Sequence, residues 1–161
     1  MEYNVSARHP NNALKKRAVD AAIRADDLLK SSISQTRDDR SLCEIIKEYL
    51  RLRYLLEPKD MDETEYLNHL GETSIARGLG IPVEAVRKNE LDSKCTGTSS
   101  SMAKKILLVI AINKALSIAI DAETTANMTT VTELCDAVRA QLVPQIRAEE
   151  HGNGCQTTHD R

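Results

Sequence analysis

Three consecutive serines, Ser99, Ser100 and Ser101, stand just ahead of an unbroken apolar run from Ile106 to Ile112. Hydroxyl side chains accept hydrogen bonds from the unpaired N–H groups of a helix's first turn, so the tract has the composition of a helix start. The apolar run is too short to cross a bilayer, and it lacks the turn signals that would bracket a strand. It therefore reads as a buried helix over about Ser101 to Leu116. A serine at the mouth of such a helix can serve as a covalent attachment point. Backbone N–H groups and the positive end of the helix dipole favour an anion there. Lys104 and Lys105, in the following turn, could add to that attraction.

The other chemistry-bearing residues are scattered. Cys43, Cys95, Cys135 and Cys155 form no C-x-x-C pair, and the N-terminal MEYNVSARHP has no apolar signal region. Reduced thiols and a cytoplasmic setting are the expectation, with Cys43 and Cys135 packing as small hydrophobes and Cys95 an ordinary loop cysteine. His151, Cys155 and His159 recur at intervals of four, but no fourth ligand accompanies them, so coincidence is preferred to a metal site. His9 and His69 stand alone. No paired carboxylates, nucleophile–base motif or phosphate loop suggests an enzyme, and no segment is long and apolar enough to span a membrane.

Composition limits what can position the serines. Phe and Trp are absent, so the core must be Leu, Ile, Val and Ala, which favours an all-α fold. The same lack argues against base stacking on aromatic rings. Charge is unevenly spread: 12 basic against 9 acidic residues over 1–59, 8 against 12 over 60–145, and 2 against 3 beyond. The middle of the chain is thus acidic, which is unlike a nucleic-acid-binding surface.

Helical spacing predicts an amphipathic helix over 12–31, with Asn12 as cap and Leu14, Val19, Ala22, Ile23 and Leu28 or Leu29 on its inner side. Ser41 and Glu44 fit a capping box that opens a second helix, which Pro58 ends. Together they make a helical hairpin over 1–59, with Arg51 and Arg53 on its solvated face. A second unit, 60–145, follows. A helix over 62–79 uses Tyr66, Leu67, Leu70 and Ile75 as core positions, and Gly80 supplies its C-terminus. A short helical segment begins near Pro82, and a polar loop spans 88–98. After the long helix, Ser117 to Asp121 alternates, and 122–129 is a loop or a short turn. Thr130 and Glu133 form another capping box for a last helix with Val131, Leu134, Val138 and Leu142 as its stripe. Pro144 closes it, and a flexible tail occupies 146–161.

The second unit resembles the acyl carrier protein family and the related peptidyl carrier domains. The ordered pieces are Ala76 to Val86, similar to the end of the family's first helix and the turn after it; a polar loop ending in the serine tract; Leu116-Ser117-Ile118-Ala119-Ile120-Asp121, similar to FDIEIPD; and Met128 to Leu134, close to ITTVGDL. The resemblance covers about half the chain. It implies a four-helix carrier fold in which a serine opening the second helix bears covalent 4′-phosphopantetheine. By position Ser101 is preferred, then Ser100, then Ser99. The implied partners are a phosphopantetheinyl transferase and acyl- or aminoacyl-transferring enzymes.

The chain departs from the family in three ways, the first being that no aspartate immediately precedes the serine. Lys104 and Lys105 replace the acidic residues that usually follow the serine, and Leu107, Leu108, Ala111 and Ile112 stand where polar residues are expected. Both sides of this helix therefore need cover, from the hairpin or from a second copy packed on 106–112. Two alternatives stand beside the carrier. One is a DNA-binding helix-turn-helix around Gly80, with Arg87 and Lys88 touching DNA, disfavoured by Glu84, Glu90 and Asp92 on the same segment. The other is an unmodified structural subunit.

Overall fold

The computed structural model describes residues 10–33, 39–92 and 98–152, with side chains over 12–33, 40–91 and 98–142. Among the described residues there are eight helices: α1 (Pro10–Ile33), α2 (Asp39–Tyr54), α3 (Pro58–Glu63), α4 (Leu67–Leu79), α5 (Val83–Asp92), α6 (Ser100–Leu116), α7 (Ala122–Asn127) and α8 (Val131–Gly152). The all-α expectation holds. None of these helices is long and apolar enough to cross a membrane.

The hairpin forms, with different contacts from those expected. The inner face of α1 is Ala21, Ala25 and Leu29, at steps of four, while Val19 and Ile23 are exposed. Alanines let α1 approach α2 closely, and the buried ring of Tyr49 fills the seam with its hydroxyl donating to Asp26 (3.2 Å). Helix α2 begins at Asp39, so Ser41 and Glu44 lie inside its first turns instead of forming its cap. Arg51 and Arg53 are half-buried and paired, Arg51 with Glu48 and Arg53 with Asp26.

Pro58 opens a helix instead of closing one. The chain leaves α2 through Leu55 in the left-handed region (φ 55°), and Pro58 then takes the first position of α3, where its missing N–H costs nothing. Glu57 N–H donates to the Asp60 carboxylate (2.7 Å), which also takes a two-pronged bond from Arg77 of α4. The helix expected over 62–79 is thus split. Tyr66 lies in the break, exposed, in a bridge with Thr130; Leu67 N–H donates to Thr129 and Val131 N–H to Glu65, which ties the start of α4 to the start of α8.

Several local signals are realised. Gly80 ends α4 in the left-handed conformation (φ 67°) that glycine adopts without strain. Thr130 Oγ1 accepts the Glu133 N–H, and the Glu133 carboxylate accepts the Thr130 N–H. Ile118 and Ile120 point inward while Ser117 and Ala119 do not, and Asn113 clamps this strip through Ile120 N–H and C=O (both 3.0 Å). Helix α8 runs through Pro144 to Gly152. A proline removes one backbone bond, and here the helix continues past it.

One cluster of buried residues joins the two parts, running from Ala25, Leu29 and Ile46 of the hairpin to Leu70, Ile112, Leu134 and Val138. Cys43 of α2 and Cys135 of α8 form a disulfide within it, with Cα atoms 5.3 Å apart. This corrects the expectation of two separate thiols. The residues are remote in sequence, and only the docking of α2 on α8 brings them together. Cys95, Cys155, His9, His159 and the side chain of His151 lie outside the described residues.

Candidate functional site

The three serines occupy three different environments at the start of α6. Ser99 is the N-cap, and its hydroxyl oxygen accepts the Met102 N–H (3.1 Å). Ser100 is the first helical residue and is exposed. Ser101 is 2 % exposed, beneath α4 and α5. A Cβ on Gly71 of α4 would lie 3.4 Å from the Cα, Cβ and carbonyl oxygen of Ser101, so α4 and α6 approach closely here and leave room for little more than a methyl group.

Glu90 of α5 completes the arrangement. One carboxylate oxygen accepts the Ser101 N–H (2.7 Å) and the other its hydroxyl (2.8 Å). A serine hydroxyl has one proton, so in the Ser99–Ser101 contact (3.1 Å) Ser99 is the donor and Ser101 the acceptor. A carboxylate at the positive end of a helix dipole is favourably placed. Two first-turn amides, those of Ser101 and Met102, are thereby engaged, and of the three hydroxyls that of Ser100 belongs to the residue that faces solvent.

Lys104 and Lys105 do not face an anion at the helix start. Lys104 Nζ donates to Ser74 Oγ (2.7 Å) and sits over the Tyr54 ring, 4.7 Å from its centre. Ser74 passes the link on, donating to the Tyr54 carbonyl (2.6 Å). Lys105 is 1 % exposed and donates to the carbonyls of Ala126 (3.1 Å) and Met128 (2.7 Å) at the end of α7. Burial pushes both ammonium groups below the ordinary lysine pKa, reinforced at Lys104 by the Arg53 charge. Each lysine secures a neighbouring element to α6.

Among the described residues nothing covers the outward face of α6. Ile106 (39 % exposed), Leu107 (63 %) and Ile110 (56 %) face solvent, while Leu108, Val109 and Ile112 are buried. The hairpin packs on this unit, with α1 against α6 and α2 against α8, but it leaves that face bare.

The segment around Gly80 is a helix–turn–helix in the geometric sense. Its Arg87 is already engaged, with Glu72 (2.7 Å) and with the ring of His69 (2.6 Å), whereas Lys88 and Glu84 are both exposed. Beside it, an open cleft of about 510 Å³ lies between α3, α4 and α5, lined by both signs of charge, including Lys59, Asp60, Glu63 and Arg77. Among the described residues no group of three or more His, Cys, Asp or Glu side chains could hold a metal ion.

Sequence spacing singled out the serine tract but not Gly71 or Glu90, the two residues that seal Ser101. A glycine within a helix is a signal of close approach and could have pointed to Gly71. No protein-family model matches the chain, and comparison with curated proteins and with solved structures finds no match either.

Proposed function

We propose that the chain is a carrier that presents an acyl or aminoacyl group to partner enzymes on a phosphopantetheine arm attached to Ser100. The observation that carries this is the exposure of Ser100 at the first position of α6, between two serines whose hydroxyls are engaged. Ser100 therefore takes precedence over Ser101 and Ser99. The order of elements around it supports the same conclusion: α4, then α5 and a polar connection, then a long helix opening at the serine, the short α7 and a long final helix.

In the attachment step the Ser100 oxygen attacks the phosphorus that bears the pantetheine in coenzyme A. The P–O bond to the adenosine bisphosphate breaks, the hydroxyl proton passes to a base of the transferase, and a serine phosphodiester results. The arm ends in a thiol that holds its cargo as a thioester. The carrier's own residues supply position only: Ser99 and Glu90 fix the first turn, Gly71 lets α4 brace it, and Ser100 is left open. The amides of Ser101 and Met102 being engaged, the phosphodiester would remain in solvent.

Intact-mass spectrometry after incubation with coenzyme A and a broad-range phosphopantetheinyl transferase tests this. One arm is expected on the wild type and on Ser101→Ala, and none on Ser100→Ala. Absence of any added mass on the folded wild type would rule out the carrier. A DNA-binding module is the second choice, favoured by the Gly80 turn alone; it would gain from salt-sensitive binding of duplex DNA that is weakened in Lys88→Ala.

A further inference from the structure

We infer that Cys43 is a covalent exchange site: an external thiol attacks its sulfur, opens the Cys43–Cys135 bond and unlatches one end of α2, and a disulfide compound closes it again. The two sulfurs are not equivalent. Cys43 lies at the edge of the buried cluster and is partly exposed, whereas Cys135 is 1 % exposed within it. Thiol exchange depends on which sulfur the incoming thiolate can reach. Access therefore directs the attack to Cys43 and makes Cys135 the leaving sulfur.

The reductant is a dithiol. Its first thiolate bonds to the Cys43 sulfur, the Cys43–Cys135 bond breaks, and the electron pair leaves on Cys135, which takes a proton. The second thiolate attacks the reductant's own sulfur in the mixed disulfide and expels Cys43, which is protonated in turn. Two electrons pass to the protein and the dithiol ends as a disulfide. The fold can hold the product, because the Cys43 carbonyl oxygen lies 3.9 Å from the Cys135 sulfur and can accept its S–H. Closure reverses these steps, with a disulfide compound as the oxidant. A monothiol such as glutathione completes the first step and rests as a mixed disulfide on Cys43.

Placement gives the exchange a consequence. The C-terminal end of α2 is pinned by polar contacts. The Tyr54 carbonyl accepts the Ser74 hydroxyl (2.6 Å), the Leu55 carbonyl accepts Arg77 (3.2 Å), and Lys104 sits over the Tyr54 ring. Cys43 precedes Tyr54 by 11 positions, about 16 Å along the helix at about 1.5 Å per residue. The disulfide thus holds one end of α2 on α8, while α4 and α6 hold the other. With the bond open, the Cys43 end of α2 keeps only the apolar packing of residues such as Leu42 and Ile46, and α1 is packed on that same helix.

Oxidised glutathione on the full chain tests the site, with peptide mapping to separate Cys43 and Cys135 from Cys95 and Cys155. In Cys135→Ser, glutathione should add to Cys43 without denaturant. In Cys43→Ser it should add to Cys135 about a hundredfold or more slowly, because a buried sulfur reacts only in opened molecules. If a variant does not fold, the wild type serves: reduced glutathione, with an acid quench, should leave its mixed disulfide on Cys43. Equal rates at the two cysteines, or a mixed disulfide on Cys135, would overturn the inference. So would a wild-type bond that dithiothreitol opens only in urea, or reduced thiols that oxidised glutathione does not pair again. Hydrogen exchange reads the latch. On opening, exchange over α1 and the first turns of α2 should rise about tenfold or more relative to exchange over α4 and α6. An unchanged ratio would mean a general loss of stability with no release of one end, and would also overturn it.

Discussion

The two faces of α6 do not sort by simple hydropathy. Its inward face carries Ser101 and Lys105 among Leu108, Val109 and Ile112, and its outward face carries Ile106, Leu107 and Ile110. The difference shows what decides burial here. A polar side chain can go inside when each of its hydrogen-bonding groups is met, as Glu90 meets Ser101 and the α7 carbonyls meet Lys105. A leucine stays outside when the elements that could cover it are committed elsewhere. Helix α4 braces the inner face through Gly71, and α2 is held at α8 by the Cys43–Cys135 disulfide.

The largest effect should come from removing that disulfide, because it secures the inward side as a whole. It joins positions separated by 92 residues, and closing a loop of that order is worth about 4–5 kcal/mol in the chain-entropy picture. Cys43→Ser/Cys135→Ser, or the wild type under dithiothreitol, should lose that much in urea unfolding. The outward face, which the disulfide does not touch, should keep its exposure. Equal stability with and without reductant, or two free thiols at these positions in the untreated protein, would show the inward side to be held by packing alone.

Lys105 gives the next largest effect. Lys105→Ala removes two bonds to carbonyls, that of Met128 buried and that of Ala126 partly so, and leaves a cavity, at a cost of about 3 kcal/mol, whereas Leu107→Ala on the opposite face should change stability by about 0.5 kcal/mol or less. Lys105 also has a pH signature. Burial lowers its folded pKa below the unfolded value of about 10.4, so between the two the unfolded chain binds more protons and stability rises with pH. Lys104 contributes in the same direction. Tyr49 and Tyr54, whose pKa values burial raises, act in the opposite sense once pH passes about 10. Urea unfolding at a series of pH values up to about 10 should show a positive slope that flattens in Lys105→Met. An unchanged slope would mean that the ammonium is hydrated and the inward face is not dry.

Local signals were legible where they act within a few residues. Gly80, the Thr130–Glu133 box and the alternation of 117–121 all depend on backbone groups next to them in sequence. The short helix after Pro58 was equally local: Glu57 and Asp60 bracket a proline at its first position, a pattern that a boundary drawn at the proline conceals. What was not legible depends on approach between distant segments. Nothing near Ser101 announces Glu90 or Gly71, and two cysteines far apart in the chain do not announce a bond. The adjacent lysines 104 and 105 point to different neighbours because one residue turns a helix by about 100°.

The smallest effect bears most directly on the serines. Ser101→Ala should cost about 1 kcal/mol, because it removes the bond to one Glu90 oxygen while the backbone N–H still holds the other. Ser100→Ala, at an exposed position, should fall within about 0.5 kcal/mol of the wild type. Gly71→Ala sharpens the comparison. Alanine is worth up to about 1 kcal/mol over glycine inside a helix, and the new Cβ would meet Ser101 at 3.4 Å, close to ordinary contact. The two terms should leave the variant about as stable as the wild type or slightly more so. Larger residues at 71 should push α6 away and expose Ser101. If the wild type loads only at Ser100, as proposed, and Gly71→Leu also accepts an arm at Ser101, then the brace from α4 is what chooses between the two hydroxyls.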